Sequence, residues 1–141
     1  DDEGAIRDSV RLTVAIQVCN GMCALQEHGL LHRDLASRNV LVFSFHPSNR
    51  RHALVKLTDF GMAIQGPAGS GYVQHMSTSS GAGRGPVRHM APEAIRQSKF
   101  STASDVWAAG VLLHEMWSQG EIPYWHLAGD NDVIKHVCID K

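Results

Sequence analysis

At 141 residues and 15.4 kDa the chain has the length of one compact domain, and its 43% apolar and 19% charged residues exclude wholesale disorder. Thirteen Lys and Arg against fourteen Asp and Glu leave a net charge of −1, which excludes a polybasic nucleic-acid binder and an acidic tail protein. Cys19, Cys23 and Cys138 are too sparse for a disulfide scaffold or a metal cluster and point to a reducing interior. No window reaches the ~18–20 apolar residues of a membrane span, and Asp1-Asp2-Glu3 is the opposite of a signal peptide.

In chain order, the pattern predicts a first helix from Asp8 or Ser9, either of which suits its N-cap, to about His28, with Gly29 in the left-handed position beyond. Val14, Ile16, Val18, Cys19, Met22, Ala24 and Leu25 cover more than one stripe, which predicts a largely buried helix. Cys19 and Cys23, one turn apart, read as two small core residues rather than a redox or metal pair. Val40-Leu41-Val42-Phe43 and Leu54-Val55-Lys56-Leu57 predict a hairpin joined by a long polar loop. In that loop Arg50 and Arg51 read as a solvated tip, the alternative being a basic docking patch.

Residues 62–92 carry six glycines between Gly66 and Gly85, the run Ser77-Thr78-Ser79-Ser80, and no Asp or Glu. Such a stretch cannot build its own core and predicts a mobile loop with a functional reason for its length. Pro92 suits the first residue of a short helix, and a strong helix follows over about Thr102–Ser118. Its Val106, Trp107, Val111, Leu112, Leu113, Met116 and Trp117 wrap most of the circumference, as in a central core helix. Asp105 and Glu115 within it then need partners, because unpaired buried charges cost several kcal/mol. Asp130 or Asn131 is placed to cap a last short helix carrying Val133, Ile134 and Val137.

Three polar motifs occur in order: His32-Arg33-Asp34-Leu35-Ala36-Ser37-Arg38-Asn39 between the first helix and the hairpin, Asp59-Phe60-Gly61 after the second strand, and Ala91-Pro92-Glu93 closing the long loop. Any one of them, taken alone, reads as ordinary loop carboxylates and turn residues. Together they resemble the catalytic loop, the metal-binding motif and the end of the activation segment of a protein kinase. The resemblance implies an α+β, mainly α fold: a kinase-like C-terminal lobe with a short β-hairpin. It covers residues 1–141 as a partial kinase domain, with residues 59–93 as the activation segment.

Phosphoryl transfer needs an oriented hydroxyl and neutralised phosphate charge, which explains the residue types. By resemblance, Asp34 is the catalytic carboxylate, Arg38 supplies positive charge near the transferred group, and Asn39 and Asp59 are oxygen ligands of Mg²⁺. Leu41 matches the position under the adenine ring of ATP, although a plain core leucine fits the same place. His32, Phe60, Gly61, Glu93 and Asp105 match structural positions, with Asp105 expected to receive backbone N–H groups of the catalytic loop.

Ala36, where serine/threonine kinases carry a Lys two residues after the catalytic Asp, and Arg38, four residues after it, resemble the tyrosine kinase version. The peptide-docking stretch around Pro86, Val87 and Arg88, and Asp105-Val106-Trp107, agree with it. The implied activity is Mg²⁺-dependent transfer of the ATP γ-phosphate to protein tyrosine in a cytoplasmic setting, with no nucleic-acid or membrane contact from this segment. Alternatives are a dual-specificity or serine/threonine enzyme, or a non-catalytic kinase-like binding module.

Tyr72 is the only tyrosine between Asp59 and Glu93 and is the expected phosphosite, with Arg33 as its partner and Ser77 and Thr78 as rivals. His89 stands where tyrosine kinases usually place Trp. Two decoys fall away: Val14-Ala15-Ile16 is followed by Gln17 rather than Lys, and Gly81-Ala82-Gly83-Arg84-Gly85 comes after the metal-binding Asp. The N-terminal lobe, with its glycine-rich loop and strand Lys, and the family's last helices, with the Arg that pairs with Glu93, are expected to lie outside these residues. The expected consequence is a segment inactive and aggregation-prone when isolated.

Overall fold

The structure is a computed structural model that describes residues 5–66, 74–75 and 86–139. Helix α1 (Asp8–Glu27) starts from Arg7, whose extended backbone forms the N-cap without a side-chain bond. Asp8 lies instead in the first turn, where its charge suits the helix dipole, 3.0 Å from Arg11. The helix ends at His28, and Gly29 takes φ 70°, the left-handed conformation anticipated for it. Only Val10, Val14 and Val18 are buried, a single i, i+4 stripe, whereas Leu12 and Ile16 are more than half exposed. The largely buried helix and the core cysteines are therefore corrected, since Cys19 and Cys23 are exposed. The cause is that α1 packs on one side only, against the hairpin and the long helix described below.

Strands β1 (Leu30–Leu31), β2 (Val40–Ser44), β3 (Leu54–Leu57), β4 (Ile64–Gln65) and β5 (Gln74–His75) follow, then helix α2 (Pro92–Gln97), strand β6 (Lys99–Phe100), helix α3 (Thr102–Trp117) and helix α4 (Asp130–Cys138). β2 and β3 form the expected hairpin, in register Val40↔Leu57, Leu41↔Lys56 and Val42↔Val55, with a bulge before Ser44↔Leu54. Gln17 of α1 clamps the hairpin: its Nε2 donates to the Ala53 carbonyl at 2.8 Å and its Oε1 accepts from the Val55 N–H at 2.8 Å.

Two further ladders lay outside the expectations. β1 pairs antiparallel with β4, and β5 with β6. Parts of the segment expected to be wholly mobile are thus paired to fixed strands.

Pro92 is the first residue of α2. In α3, Ser104 Oγ accepts from the Ser101 N–H at 3.0 Å and donates to the Ser101 carbonyl at 2.8 Å, a local cap. α4 is capped by Gly129, with Asp130 inside its first turn.

The core has separate nuclei. One joins Val10, Val14 and Val18 to Ala53, Val55 and Leu112. A second joins Leu31 to Met90, Ala91, Ala94 and Phe100. A third joins Val87 to Val133, Val137 and Cys138. Between α1 and α3, Leu35 is wholly buried against Ala108 and Ala109. Full burial of Leu35 and of Leu112 contributes about 1.5–3 kcal/mol each. α3 is central but not enclosed, because Val106 and Trp117 are exposed. The hairpin presents Leu41, Phe43, Phe45 and Leu54 to solvent.

Candidate active site

The 32–39 loop hangs on one buried carboxylate. Asp105, in the first turn of α3, accepts the His32 N–H on Oδ2 at 2.7 Å and the Arg33 N–H on Oδ1 at 2.9 Å. Burial pushes its carboxyl above the usual range, opposed by those two N–H donors and by the His32 and Arg33 side chains. The expected role of Asp105 as receiver of loop N–H groups is what the geometry shows. Arg33 adopts φ 67°, a left-handed backbone that costs a non-glycine residue about 1 kcal/mol or more. Its guanidinium lies 4.4 Å over the Phe100 ring, and burial lowers its pKa while Asp105 raises it.

His32 is fully buried and its ring is held at both nitrogens. Nε2 lies 3.0 Å from the Thr58 carbonyl, which only accepts, so Nε2 carries the proton and Nδ1 accepts from the Asp34 N–H at 3.3 Å. Phe60 stacks obliquely on that ring at 5.3 Å. One imidazole therefore ties the loop to the end of β3.

The Asp34 carboxylate is then fixed from two sides. Arg38 pairs with Oδ1, while Asn39 Nδ2 donates to Oδ2 at 2.9 Å and to the Asp34 carbonyl at 2.6 Å. The buried Asn39 amide thus spends its nitrogen on Asp34, which fixes the orientation of its oxygen. The Asn39 carbonyl accepts the Thr58 N–H at 3.0 Å, and the hairpin register brings Asn39 and Asp59 to the same end of the ribbon. Asp59 has φ 61°, is exposed, and accepts the Gly61 N–H on Oδ1 at 3.2 Å. A Cβ on Gly61 would sit 3.2 Å from that same Oδ1, a tight fit that favours glycine.

Asn39 and Asp59 present a hard-oxygen pair suited to Mg²⁺, which keeps most of its shell for phosphate oxygens and water. Among the described residues no group of three or more His, Cys, Asp or Glu could hold a metal.

Glu115 adds a link that spacing along the chain did not reveal. Its Oε2 accepts the Ser37 N–H at 2.9 Å, its Oε1 accepts the Ser37 hydroxyl at 3.0 Å, and His89 Nε2 lies 3.1 Å from Oε2. The unmet demand of a carboxylate in an apolar helix was the only signal of it.

The remaining expected residues are placed as follows. Leu41 is about half exposed on β2, so the plain core alternative for it is corrected. Glu93 lies half-buried in the first turn of α2. Pro86 opens a short turn in which Val87 is buried. Arg88 donates to the carbonyls of Pro123, Tyr124 and Leu127 at 2.7, 2.8 and 3.0 Å. Val87 thus packs with Val133, Val137 and Cys138, and Arg88 ties this stretch to the loop before α4. Tyr72, Ser77, Thr78 and the Gly81–Gly85 run lie outside the described residues. No helix among the described residues is long and apolar enough to cross a membrane.

Comparison with known proteins agrees with this geometry. The profile of the protein tyrosine and serine/threonine kinase family matches residues 2–141. The chain is 37% identical over 123 residues to tyrosine-protein kinase csk-1 of Caenorhabditis elegans, covering 87% of the chain and 20% of that protein. It is 40% identical over 125 residues to protein-tyrosine kinase 6 of Homo sapiens, covering 87% and 24%. To ephrin type-B receptor 3 of Gallus gallus it is 42% identical over 123 residues, covering 85% and 11%. The chain thus spans less than a quarter of the length of these relatives.

Proposed function

This chain belongs to the protein tyrosine and serine/threonine kinase family, and from that premise we propose that it supplies the catalytic floor of a protein tyrosine kinase. The carrying observation is the Asp34 carboxylate, held by Arg38 and Asn39 on a loop suspended from Asp105. A carboxylate with one oxygen paired to a guanidinium and the other to an amide is oriented without being neutralised, as a hydroxyl-positioning base requires. Asp34 accepts the proton of the incoming tyrosine hydroxyl. Arg38, whose guanidinium is half exposed, brings a fixed positive charge to the phosphoryl side of the same carboxylate. Asn39 Oδ1 and the Asp59 carboxylate would hold Mg²⁺, which would supply charge neutralisation to the phosphates of ATP. Leu41 offers its exposed face to the adenine.

The backbone turn at Pro86–Arg88 receives the substrate peptide in this reading. Phosphorylation at Tyr72 adds a charge of about −1.5 to −2 that pairs with Arg33. The reaction runs on the cytoplasmic side, where ATP is supplied.

The test is made on the whole protein that carries these residues. Asp34→Asn is expected to lower kcat by about 10²–10⁴ while leaving the melting temperature within a few degrees. Near-normal turnover would remove Asp34 from this role. Phosphoamino-acid analysis of the product is expected to show phosphotyrosine, and phosphoserine alone would overturn the tyrosine assignment in favour of a serine/threonine enzyme.

A further inference from the structure

We infer that Glu115 is a positioning residue for the proposed reaction, acting on Asp34 through the turn that begins at Ser37. Its functional half rests on the phosphoryl-transfer reading, and its structural half stands on hydrogen bonds alone. Ser37–Asn39 is a single tight helical turn, closed by the Asn39 N–H on the Ala36 carbonyl at 2.9 Å. The first N–H groups of such a turn have no partner within it and are ordinarily met by a Ser, Thr, Asp or Asn side chain just before it. Ala36 holds that place, extended and wholly buried, with a methyl group that accepts nothing. The acceptor comes instead from 78 residues further along the chain. Glu115 Oε2 takes the Ser37 N–H at 2.9 Å and Oε1 takes the Ser37 hydroxyl at 3.0 Å.

A carboxylate that accepts from both the main chain and the side chain of one residue fixes direction as well as distance. The Glu115 side chain is only 12% exposed, and the His89 ring from the turn before α2 flanks it. What moves with Ser37 is the machinery itself, because the next two residues, Arg38 and Asn39, are the groups that hold the Asp34 carboxylate. Helix α3 thus holds the loop at two points. Asp105 takes the N–H groups of His32 and Arg33, and Glu115, three helical turns on, takes Ser37. At 1.5 Å of rise per residue the two anchors stand about 15 Å apart on one rod. Leu35, between them in the loop, is wholly buried against Ala108 and Ala109 of the same helix. Asp105 anchors the entry to the loop, and Glu115 sets the angle of the turn behind the proposed base. Water that replaced the carboxylate would satisfy the Ser37 N–H without fixing the turn.

The test uses the whole protein that carries these residues. Glu115→Ala is expected to lower kcat by about tenfold to a hundredfold, the scale of a displacement approaching 1 Å at the reacting group. KM for Mg·ATP is expected to stay within about threefold, because the Asn39 carbonyl remains paired to the Thr58 N–H. Glu115→Gln keeps an oxygen for the Ser37 N–H and offers an N–H to the Ser37 oxygen, so it is expected to recover kcat to within about threefold of the wild type. In an Asp34→Asn background Glu115→Ala is expected to cost nothing further, since a group that acts through Asp34 has nothing left to position. A purely structural role would cost the same factor in both backgrounds, and that result would overturn the inference. So would a Gln variant as slow as the Ala variant.

Ser37→Pro keeps the test decisive where Glu115→Ala does not fold. Proline suits the first residue of a helical turn after an extended neighbour, yet it gives up both bonds to Glu115. It is expected to lose kcat by the same factor, and wild-type turnover in it would refute the role. Hydrogen exchange at the Ser37 amide needs no turnover: it is expected to quicken at least about tenfold in Glu115→Ala and to stay slow in Glu115→Gln, with α4 amides reporting the fold. Equal exchange in the wild type and Glu115→Ala would refute the clamp. Absence of phosphoryl transfer in the wild type would instead count against the kinase reading, and exchange at Ser37 would still decide the clamp.

Discussion

Replacing Asp105 by alanine isolates the contact on which the proposed active-site loop hangs. The substitution leaves the N–H groups of His32 and Arg33, now at 2.7 and 2.9 Å from carboxylate oxygens, without their acceptor. Each orphaned buried donor costs about 1–3 kcal/mol, or about 2–6 together. Part of this is offset because the variant no longer buries a carboxylate, and burial is the largest influence on this group. The net loss near pH 7 is then about 2–4 kcal/mol, which lowers a urea midpoint by about 1–2 M.

The pH dependence follows from the direction of the shift. Burial raises the folded carboxyl above its unfolded value, so the folded chain holds this proton more tightly. The stabilisation from that proton is fully present below about pH 4 and is lost as pH rises through the folded value. The deficit of Asp105→Ala should therefore be larger near pH 4 than near pH 7, as read by urea unfolding of both proteins at each pH. A loss below about 1 kcal/mol, or a deficit that widens with rising pH, would refute the reasoning; the latter would mean that the ion, not the acid, is favoured at this position.

Other expectations address the site and the helical core. Asp59→Asn should leave unfolding by denaturant unchanged, since Asp59 is exposed and its side chain accepts only the Gly61 N–H among the described residues, while titration with Mg·ATP should show at least a tenfold loss of affinity. Arg88→Ala removes donors to three carbonyl oxygens and should destabilise the protein by about 2–3 kcal/mol, with the largest rise in hydrogen exchange in α4. Equal exchange in α1 and α4 of that variant would show that Arg88 does not hold α4 locally.

Elements whose signal is local were legible before the structure. Helix α3 begins at Thr102 as its pattern indicated, Pro92 opens α2, and Gly29 ends α1 in the left-handed conformation. The bonds from the Asn39 amide to Asp34, by contrast, are seen only in the fold, since the motif names both residues but not their contact. What escaped was non-local. β1 and β4 are two residues each, separated by more than thirty positions, and two residues carry no periodicity. The burial of α1 was overdrawn because its apolar count does not say how many sides have a neighbour. Arg88 falls in the stretch that resembles a peptide-docking segment, and its bonds to carbonyls of a loop some 35 residues away cannot be read from that stretch alone. The join of Ser37, Glu115 and His89 spans three segments and is fixed by packing alone.

The paired ladders β1–β4 and β5–β6 have a thermodynamic consequence of their own. Each has two residue pairs and so only a few backbone hydrogen bonds, about 0.5–1.5 kcal/mol apiece net, beside the packing of Leu31, Ile64 and Phe100 in the second nucleus. The nucleus formed by Val10, Val14, Val18, Val55 and Leu112 shares no residue with either ladder. Opening of β4 or β5 is thus a sub-global event with its own small free energy, separate from melting of the whole. Substitutions that strengthen the α1–hairpin nucleus would raise the melting temperature and leave the opening rate of these strands unchanged. Resistance to unfolding and readiness to open β4 or β5 are, in this fold, independently adjustable quantities.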